Sequence, residues 1–115
     1  MARTALTVTE ITRAGIAGSL SAANVDGHSV VNDGRTFLEV VNGGGSPITV
    51  TVQTAATING LAIADVSVSV TNGQRRLIGP FPKGTFNITS GADTGTVYVD
   101  FSAVTSVTCA AFSLP

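Results

Sequence analysis

The sequence predicts an all-β protein, a single-domain sandwich of about eight short antiparallel strands with a jelly-roll-like arrangement. Three observations predict it. Apolar and polar residues alternate with a period of two in most segments, which is the pattern of half-buried strands. Glycine, proline and Asn-Gly turn signals separate those segments at regular spacing. The helical three- and four-residue spacing is missing from almost every window, apart from one helical turn near residues 14–19.

The first predicted strand lies in an extended N-terminal segment. Leu6 shares one face of this strand with Val8 and Glu10, and the Gly-rich stretch 14–18 then gives the chain slack. We therefore divide the chain into an N-terminal extended segment, residues 1–18, and a β-sandwich domain, residues 19–115. An extended edge offers unpaired backbone amides to a partner, so we expect the segment to lie across a neighbouring subunit as an added strand.

Two strands are predicted on either side of a glycine-rich turn. Residues 37–41 follow the turn signal Asn-Asp-Gly at 32–34, and residues 48–53 alternate Ile and Val with Thr. Between them lies Asn-Gly-Gly-Gly-Ser-Pro at 42–47. Such a turn between two alternating runs predicts a β-hairpin.

A second hairpin is predicted around Asn72-Gly73. Valine and serine alternate over 66–70 before it, and Arg-Arg-Leu-Ile follows at 75–78. Asn and Gly both tolerate positive φ, which suits a tight hairpin turn. Pro80 and Pro82 then prevent continuation as a central strand.

The remaining strands fill the C-terminal third. We predict a short strand over 85–89, a loop over 90–95, a strand over 97–101 and a last strand from 106 to about 114. The last strand is expected to pair with the strand of Tyr98 through a turn at 102–105. Cys109 shares the parity of Val107 and Ala111, so all three are expected to face inward. The chain has no Trp and no cysteine pair, so it lacks the usual markers of an immunoglobulin sandwich.

Composition narrows the function classes. Charged residues make up 11% of the 115 residues and the net charge is −1, against about 25% charged residues in ordinary soluble domains. We therefore expect no nucleic-acid binding, which depends on neutralising phosphates. No apolar run is long enough to span a bilayer, so no membrane partner is expected. The start of the chain lacks the apolar centre of a secretion signal, so we expect synthesis in the cytoplasm. Small polar residues replace the missing charges, which favours a component of an assembly.

The sequence contains no group of reactive residues with the spacing of a known catalytic, metal or phosphate-binding motif. His28 lies in a polar stretch and is predicted to be a solvated loop histidine, while Cys109 lies in an apolar strand and is predicted to be structural. One His and one Cys do not supply the common zinc spacings, and the acidic residues are scattered. Gly43-Gly44-Gly45 lacks the Lys-Ser/Thr of a phosphate loop. We therefore predict no enzymatic activity, no catalytic residues, no metal and no cofactor.

The sequence does offer candidates for contact with a partner protein. Phe81 lies between two prolines and would be a preorganised apolar knob if exposed, while the competing account places it in the core. Arg75 and Arg76 could pair with carboxylates on another subunit. The full set of partner-interface candidates is Leu6, Val8, Arg13, Arg75, Arg76 and Phe81.

Three runs in the chain resemble small β-rich virion proteins of tailed bacteriophages: residues 32–40, residues 76–82 and residues 97–107. The resemblance extends over most of the length and is closest to the head decoration, or cement, proteins that sit on a capsid shell. It implies binding to a major capsid protein at the virion surface, commonly as a homotrimer, and it carries no catalytic residues.

We therefore expect a non-enzymatic capsid decoration protein that stabilises the shell by bridging capsid subunits. Two alternatives stay open. Phage tail and neck components have similar size and composition. A carbohydrate-binding module could use the same kind of sandwich, although the chain offers one Tyr and no Trp as a sugar platform.

Overall fold

The structure is a computed structural model that describes residues 3–17 and 20–114. It is all-β, as the alternation predicted, with one helix of four residues in the described part. The elements, in chain order, are β1 Thr4–Leu6, β2 Val8–Glu10, β3 Ser21–Ala22, β4 His28–Val31, β5 Thr36–Asn42, β6 Ile48–Val52, β7 Thr57–Ile58, β8 Leu61–Ala62, β9 Val66–Val70, β10 Arg75–Ile78, α1 Lys83–Phe86, β11 Thr96–Phe101 and β12 Val107–Ser113.

Two sheets form the sandwich. The first sheet has the order β1-β4-β11-β6-β9, and the second has the order β10-β5-β12-β2, with β3 also pairing with β12. Without β1 and β2, the antiparallel sets are β4-β11-β6-β9 and β3-β12-β5-β10. This interleaving of strands from distant parts of the chain is the jelly-roll arrangement, so the predicted fold is confirmed.

The three short connections predicted to close hairpins do not do so. The glycine-rich turn at 42–47 joins β5 of the second sheet to β6 of the first. Asn72-Gly73 carries the chain from β9 to β10, again from one sheet to the other. The turn after Phe101 likewise joins β11 to β12, and β12 pairs with β5 instead of the Tyr98 strand. The predicted strands are mostly present, but their predicted pairings were wrong.

The N-terminal segment forms two strands where one was predicted. β1 pairs in parallel with β4 of the first sheet, and β2 pairs in parallel with β12 of the second. The chain changes sheets at Thr7, so Leu6 and Val8 do not share a strand. Leu6 enters the common core, and Ile11 N–H donates to the Ser113 carbonyl at 2.9 Å.

Two further local predictions were wrong. Residues 85–89 form no strand: the helix α1 occupies Lys83–Phe86, directly after Pro82, and Phe86 is buried. Residues 14–17 are not helical either, while residues 18 and 19 lie outside the described part. Pro82 suits the start of a helical turn because its φ is already fixed near the helical value.

The core lies between the sheets. β5 alternates buried and half-buried residues throughout, which places Leu38 and Val40 inside and Phe37 and Glu39 outside. Cys109 faces inward with Val107 and Ala111, as predicted. The fully or nearly fully buried apolar side chains of both sheets form one cluster, which includes Val30, Val50, Val52, Val70, Val97 and Val99.

Candidate functional site

The outer face of the second sheet is apolar, and we refer to it as the apolar face. Its residues come from β5, β10, β12 and the segment after β2. They line a shallow groove of about 540 Å³, formed by Ile11, Ile16, Leu20, Phe37, Glu39, Val41, Arg75, Leu77 and Phe112. Leu77 is 65% exposed although it is part of a regular strand. A second hollow of about 110 Å³ shares Phe37 and Leu77 and extends the face to Pro80 and Leu114.

Strand register explains how these side chains come together. Leu77 lies opposite Glu39 on β5, and Arg75 lies opposite Val41. On the other side of β5, Phe112 lies opposite Phe37, with the ring centroids 5.8 Å apart. The face holds one ion pair, in which Arg75 lies 3.2 Å from the Glu39 carboxylate. The two charges cancel, so the centre of the face is apolar and electrically neutral.

The chain must pass close to the face at Gly79. This residue has a φ of +135°, and a Cβ there would lie 2.8 Å from the Cβ of Phe37. A side chain at this position would therefore displace β5 or the turn. The close approach fixes the end of β10 against Phe37 and sets the boundary of the face.

The outer face of the first sheet is mostly polar, apart from Val31, which is 63% exposed. Arg3 lies 2.8 Å from the Asp100 carboxylate and stacks on the Tyr98 ring at 4.1 Å from its centroid. Gln53 Nε2 donates to Asp100 Oδ2 at 2.5 Å, and the Tyr98 hydroxyl donates to the Asp93 carboxylate. That hydrogen bond raises the pKa of Tyr98. These groups satisfy one another, so none is held ready as a nucleophile or a base.

A third region lies at the end of the sandwich that β1 and β2 cross. A cleft of about 310 Å³ opens between this segment, β3 and β12, and His28 contributes to its wall. His28 is only 2% exposed, so the prediction of a solvated loop histidine was wrong. The cause is a tertiary contact: β1 pairs alongside β4, with Thr4 opposite His28, and so shields the ring from water.

The hydrogen bonds of His28 define its tautomer. Nδ1 lies 3.0 Å from the Thr4 carbonyl oxygen, which can only accept, so Nδ1 carries the proton. Nε2 accepts from the Asn24 N–H at 3.1 Å, and Cys109 Sγ lies 3.6 Å away. Desolvation lowers the pKa of His28, and burial raises the pKa of the Cys109 thiol to about 11. Both groups are therefore neutral at pH 7, and a neutral thiol is a poor nucleophile.

The predicted interface residues do not lie together. Phe81 is 3% exposed and packs on Phe86 with ring centroids 5.3 Å apart, so it belongs to the core, as the competing account had it. Leu6 is buried, and Val8 is half-buried against the core. Arg13, Arg75 and Arg76 are exposed, but only Arg75 lies on the apolar face.

Sequence analysis missed most of this face. Phe37 and Leu77 were not predicted as contact residues, whereas Ile11 and Ile16 lie in the segment 1–18 that was predicted to lie across a neighbouring subunit. A signal was present: residues 37–41 and 107–112 are apolar at both parities, apart from Glu39 and Thr108. Strands with that pattern are covered on both faces.

The described residues place no three His, Cys, Asp or Glu side chains close enough together to hold a metal ion. Within residues 3–17 and 20–114, no helix is long and apolar enough to cross a membrane. Comparisons with protein-family models, with curated proteins and with solved structures gave no match.

Proposed function

We propose that the chain is a non-enzymatic capsid decoration protein, and that it binds the outer shell of a virion through the apolar face and stabilises the shell by bridging capsid subunits. The observation that carries this proposal is the apolar face itself. Leu77 and Leu20 are exposed in the groove of this face, Phe112 is buried, and the groove's other apolar residues are half-buried. Apolar patches that a monomer leaves exposed mark sites of protein contact. The resemblance to phage head proteins supplies the kind of partner.

The chemistry of the face suits a protein surface. Its apolar side chains surround one neutralised ion pair, Arg75 with Glu39. A phosphate-bearing or highly charged partner would find no net charge there. A subunit shell offers many equivalent sites, so an interface of about 1,600 Å² in total, repeated by symmetry, is enough to clamp neighbouring subunits.

The N-terminal segment was predicted to pair with a neighbouring subunit, which is a separate matter from the role of the apolar face. In the single chain, Thr4–Leu6 and Val8–Glu10 pair with the chain's own sheets. Pairing of this segment with a neighbouring subunit stays a prediction. β1 and β2 are edge strands of the two sheets, so a partner strand could add to their free edges while they stay paired with β4 and β12. Removing residues before Ala14 would also take Leu6 out of the core.

A carbohydrate-binding role has less support. The cleft beside Tyr98 measures about 250 Å³ and includes Gln53 and Thr54, which could bond to hydroxyl groups. However, Arg3 already covers one face of the Tyr98 ring. Sugar platforms use exposed aromatic rings, and Tyr98 is half-buried as well as partly covered by Arg3, so a protein shell fits the structure better.

The proposal is tested with purified particles stripped of the chain and then incubated with labelled protein. Leu77→Lys places a charge in the middle of the apolar face, next to Glu39, at an exposed position that folding does not need. We expect at least a tenfold rise in Kd, or about 1.4 kcal/mol. Thr49→Lys adds the same charge on the outer face of the first sheet and is the matched control.

The outcomes separate the alternatives. Equal occupancy of Leu77→Lys and wild type would overturn the role of the apolar face. Cryo-EM of the same particles gives the location: regular copies on the shell support decoration, whereas copies confined to the tail or neck contradict it. Binding of the chain to surface polysaccharide alone would favour the carbohydrate alternative.

A further inference from the structure

β9 is an uncovered edge of the first sheet. It pairs with β6 over its whole length, from Val52 opposite Val66 to Ile48 opposite Val70. On its other side it pairs with no strand in the described part of the chain. A sheet edge of this kind presents backbone N–H and C=O groups that another strand can use.

The hydrogen bonds of β6 show which residues of β9 face outward. Gln53 N–H donates to the Tyr98 carbonyl, and the Thr49 carbonyl accepts from Ser102 N–H, so odd-numbered residues of β6 bond to β11. The even-numbered residues of β6 therefore bond to β9, and their partners are Val66, Val68 and Val70. It follows that Ser67 and Ser69 direct their backbone groups toward the open edge.

Three other edge strands carry charge within them or beside an end, whereas β9 has only Asp65 directly before it and the two-residue edge strand β3 has none. β1 follows directly on Arg3, β2 ends at Glu10, and β10 begins with Arg75 and Arg76. Proteins commonly use such charges, or proline, to prevent edge-to-edge pairing. From Val66 to Gln74 there is no charged residue and no proline. The connection that precedes β9 includes the β7–β8 hairpin, whose Ile58 and Leu61 are also exposed.

We propose that β9 is a self-association site, at which the β9 strands of two copies pair antiparallel about a two-fold axis at Val68. The sequence Val-Ser-Val-Ser-Val is the same in both directions, so antiparallel pairing about its centre is self-complementary. Ser67 then lies opposite Ser69 of the second copy, and each such pair exchanges two backbone hydrogen bonds. The valines meet valines on the inner side, and the serines stay on the polar outer face.

This pairing is independent of the apolar face, and it is two-fold symmetric. It joins the first sheets of two molecules into one continuous sheet and leaves both apolar faces uncovered. The trimer implied by the resemblance would need a different, heterologous contact. The interface would consist of about four backbone hydrogen bonds and the contacts between the valines of the two β9 strands. Because this interface is small, we expect a weak, reversible dimer.

Disulfide trapping tests the register directly. In the proposed dimer the two Val68 residues form a non-hydrogen-bonded pair, with Cα atoms about 4.5 Å apart, which a disulfide can bridge. Val68→Cys is therefore expected to cross-link under mild oxidation, with the 68–68 bond identified by mass spectrometry. The two Ser67 residues would be offset by two residues along the strands, which places their Cα atoms about 8–9 Å apart, beyond disulfide reach. Ser67→Cys is thus the matched control.

A second pair of variants tests the backbone bonds. Ser69→Pro removes an outward N–H that pairing with β6 does not use, while Ser69→Ala keeps it. In sedimentation experiments, we expect wild type and Ser69→Ala to dimerise with rising concentration and Ser69→Pro to stay monomeric. Circular dichroism checks that the proline variant folds; if it does not, the cross-linking result decides.

Two results would overturn the proposal: a wild-type protein that is monomeric at every concentration, or a Val68→Cys variant that cross-links no faster than Ser67→Cys. A monomeric wild type whose Ser69→Pro variant loses particle binding would mean that β9 receives a strand from another protein. The Leu77→Lys experiment is unaffected by either result, so failure here and failure of the proposed function are distinguishable.

Discussion

The outer faces of the two sheets differ in how their side chains are satisfied. On the first sheet, Arg3, Gln53, Tyr98 and Asp100 hydrogen-bond and stack with one another. On the second sheet, Phe37 contacts the Phe112 ring and Arg75 pairs with Glu39, while Leu77 is 65% exposed. The second sheet therefore carries an apolar groove on its outer side, in which Leu20 and Leu77 are exposed, whereas the exposed apolar side chain Val31 on the outer side of the first sheet lies outside any such groove in the described part of the chain.

The largest expected effect is on the free energy of unfolding, and it distinguishes Phe81, in the core, from Leu77, on the outer side of the second sheet. Phe81 packs against Phe86 in the core, whereas Leu77, at the end of β10, faces outward. Phe81→Ala should lower the free energy of unfolding by about 3–5 kcal/mol. Leu77→Ala should change it by no more than about 0.5 kcal/mol. Urea denaturation of both variants measures the difference, and similar losses would contradict the assignment of Leu77 to a free face.

Local sequence signals defined the strands well and their partners poorly. The alternation of residues 48–52, 66–70 and 107–113 follows from burial of one face or both, which the sequence records directly. An Asn-Gly or Gly-rich turn, in contrast, records only that the chain reverses direction. In this sandwich the reversals at 42–47 and 71–74 lead into the opposite sheet. Whether a turn stays within a sheet depends on long-range packing, which a local motif does not encode.

The candidate site, too, depends on long-range packing that local motifs do not encode. The apolar parity of β5 predicts coverage on both faces but not what covers the outer one. For His28, the neighbours Gly27 and Ser29 suggested a solvated loop. The ring is buried because β1 pairs with β4, a contact that the local sequence does not indicate. The Phe81 alternatives could be stated from the sequence, but the packing partner Phe86 was needed to decide between them.

The next prediction concerns the pH dependence of the end of the sandwich where His28 meets the N-terminal segment. Burial lowers the pKa of His28 in the folded chain, so the unfolded chain binds a proton first as the pH falls. Stability is therefore full above the ordinary histidine pKa of about 6.5 and declines below it, by up to about 1.4 kcal/mol per pH unit. Protonation also puts a hydrogen on Nε2, against the Asn24 N–H.

Denaturation curves at several pH values between neutrality and mild acid, for wild type and His28→Gln, check this prediction. The variant cannot titrate, so its curve should be flatter over the range. In wild type, the hydrogen-exchange protection factor of the Asn24 N–H should fall at the acidic end, because a protonated Nε2 can no longer accept from it. Parallel pH profiles for the two proteins would rule out His28 as the cause.

Cys109 allows a smaller effect to be measured inside the second sheet. Its side chain is buried beside His28 and makes one weak polar contact. Cys109→Ala should cost about 1 kcal/mol, because it leaves a small cavity, and should leave particle binding unchanged. With the pKa of the thiol raised to about 11, a thiol reagent at pH 8 should react with the unfolded protein far faster than with the folded one. Fast labelling of the folded protein would show that the core opens at this point.

The smallest effect compares the ion pairs of the two outer faces. Arg75 is 67% exposed, so its pair with Glu39 is largely screened, and Glu39→Gln should cost less than about 0.5 kcal/mol and nothing at high salt. Arg3 is less exposed; it also stacks on Tyr98, and Asp100 accepts a second bond from Gln53. Asp100→Asn should therefore cost more, about 0.5–1 kcal/mol, and part of that loss should persist in salt. Equal and fully salt-sensitive losses would mean that the polar cluster is no better organised than an isolated surface pair.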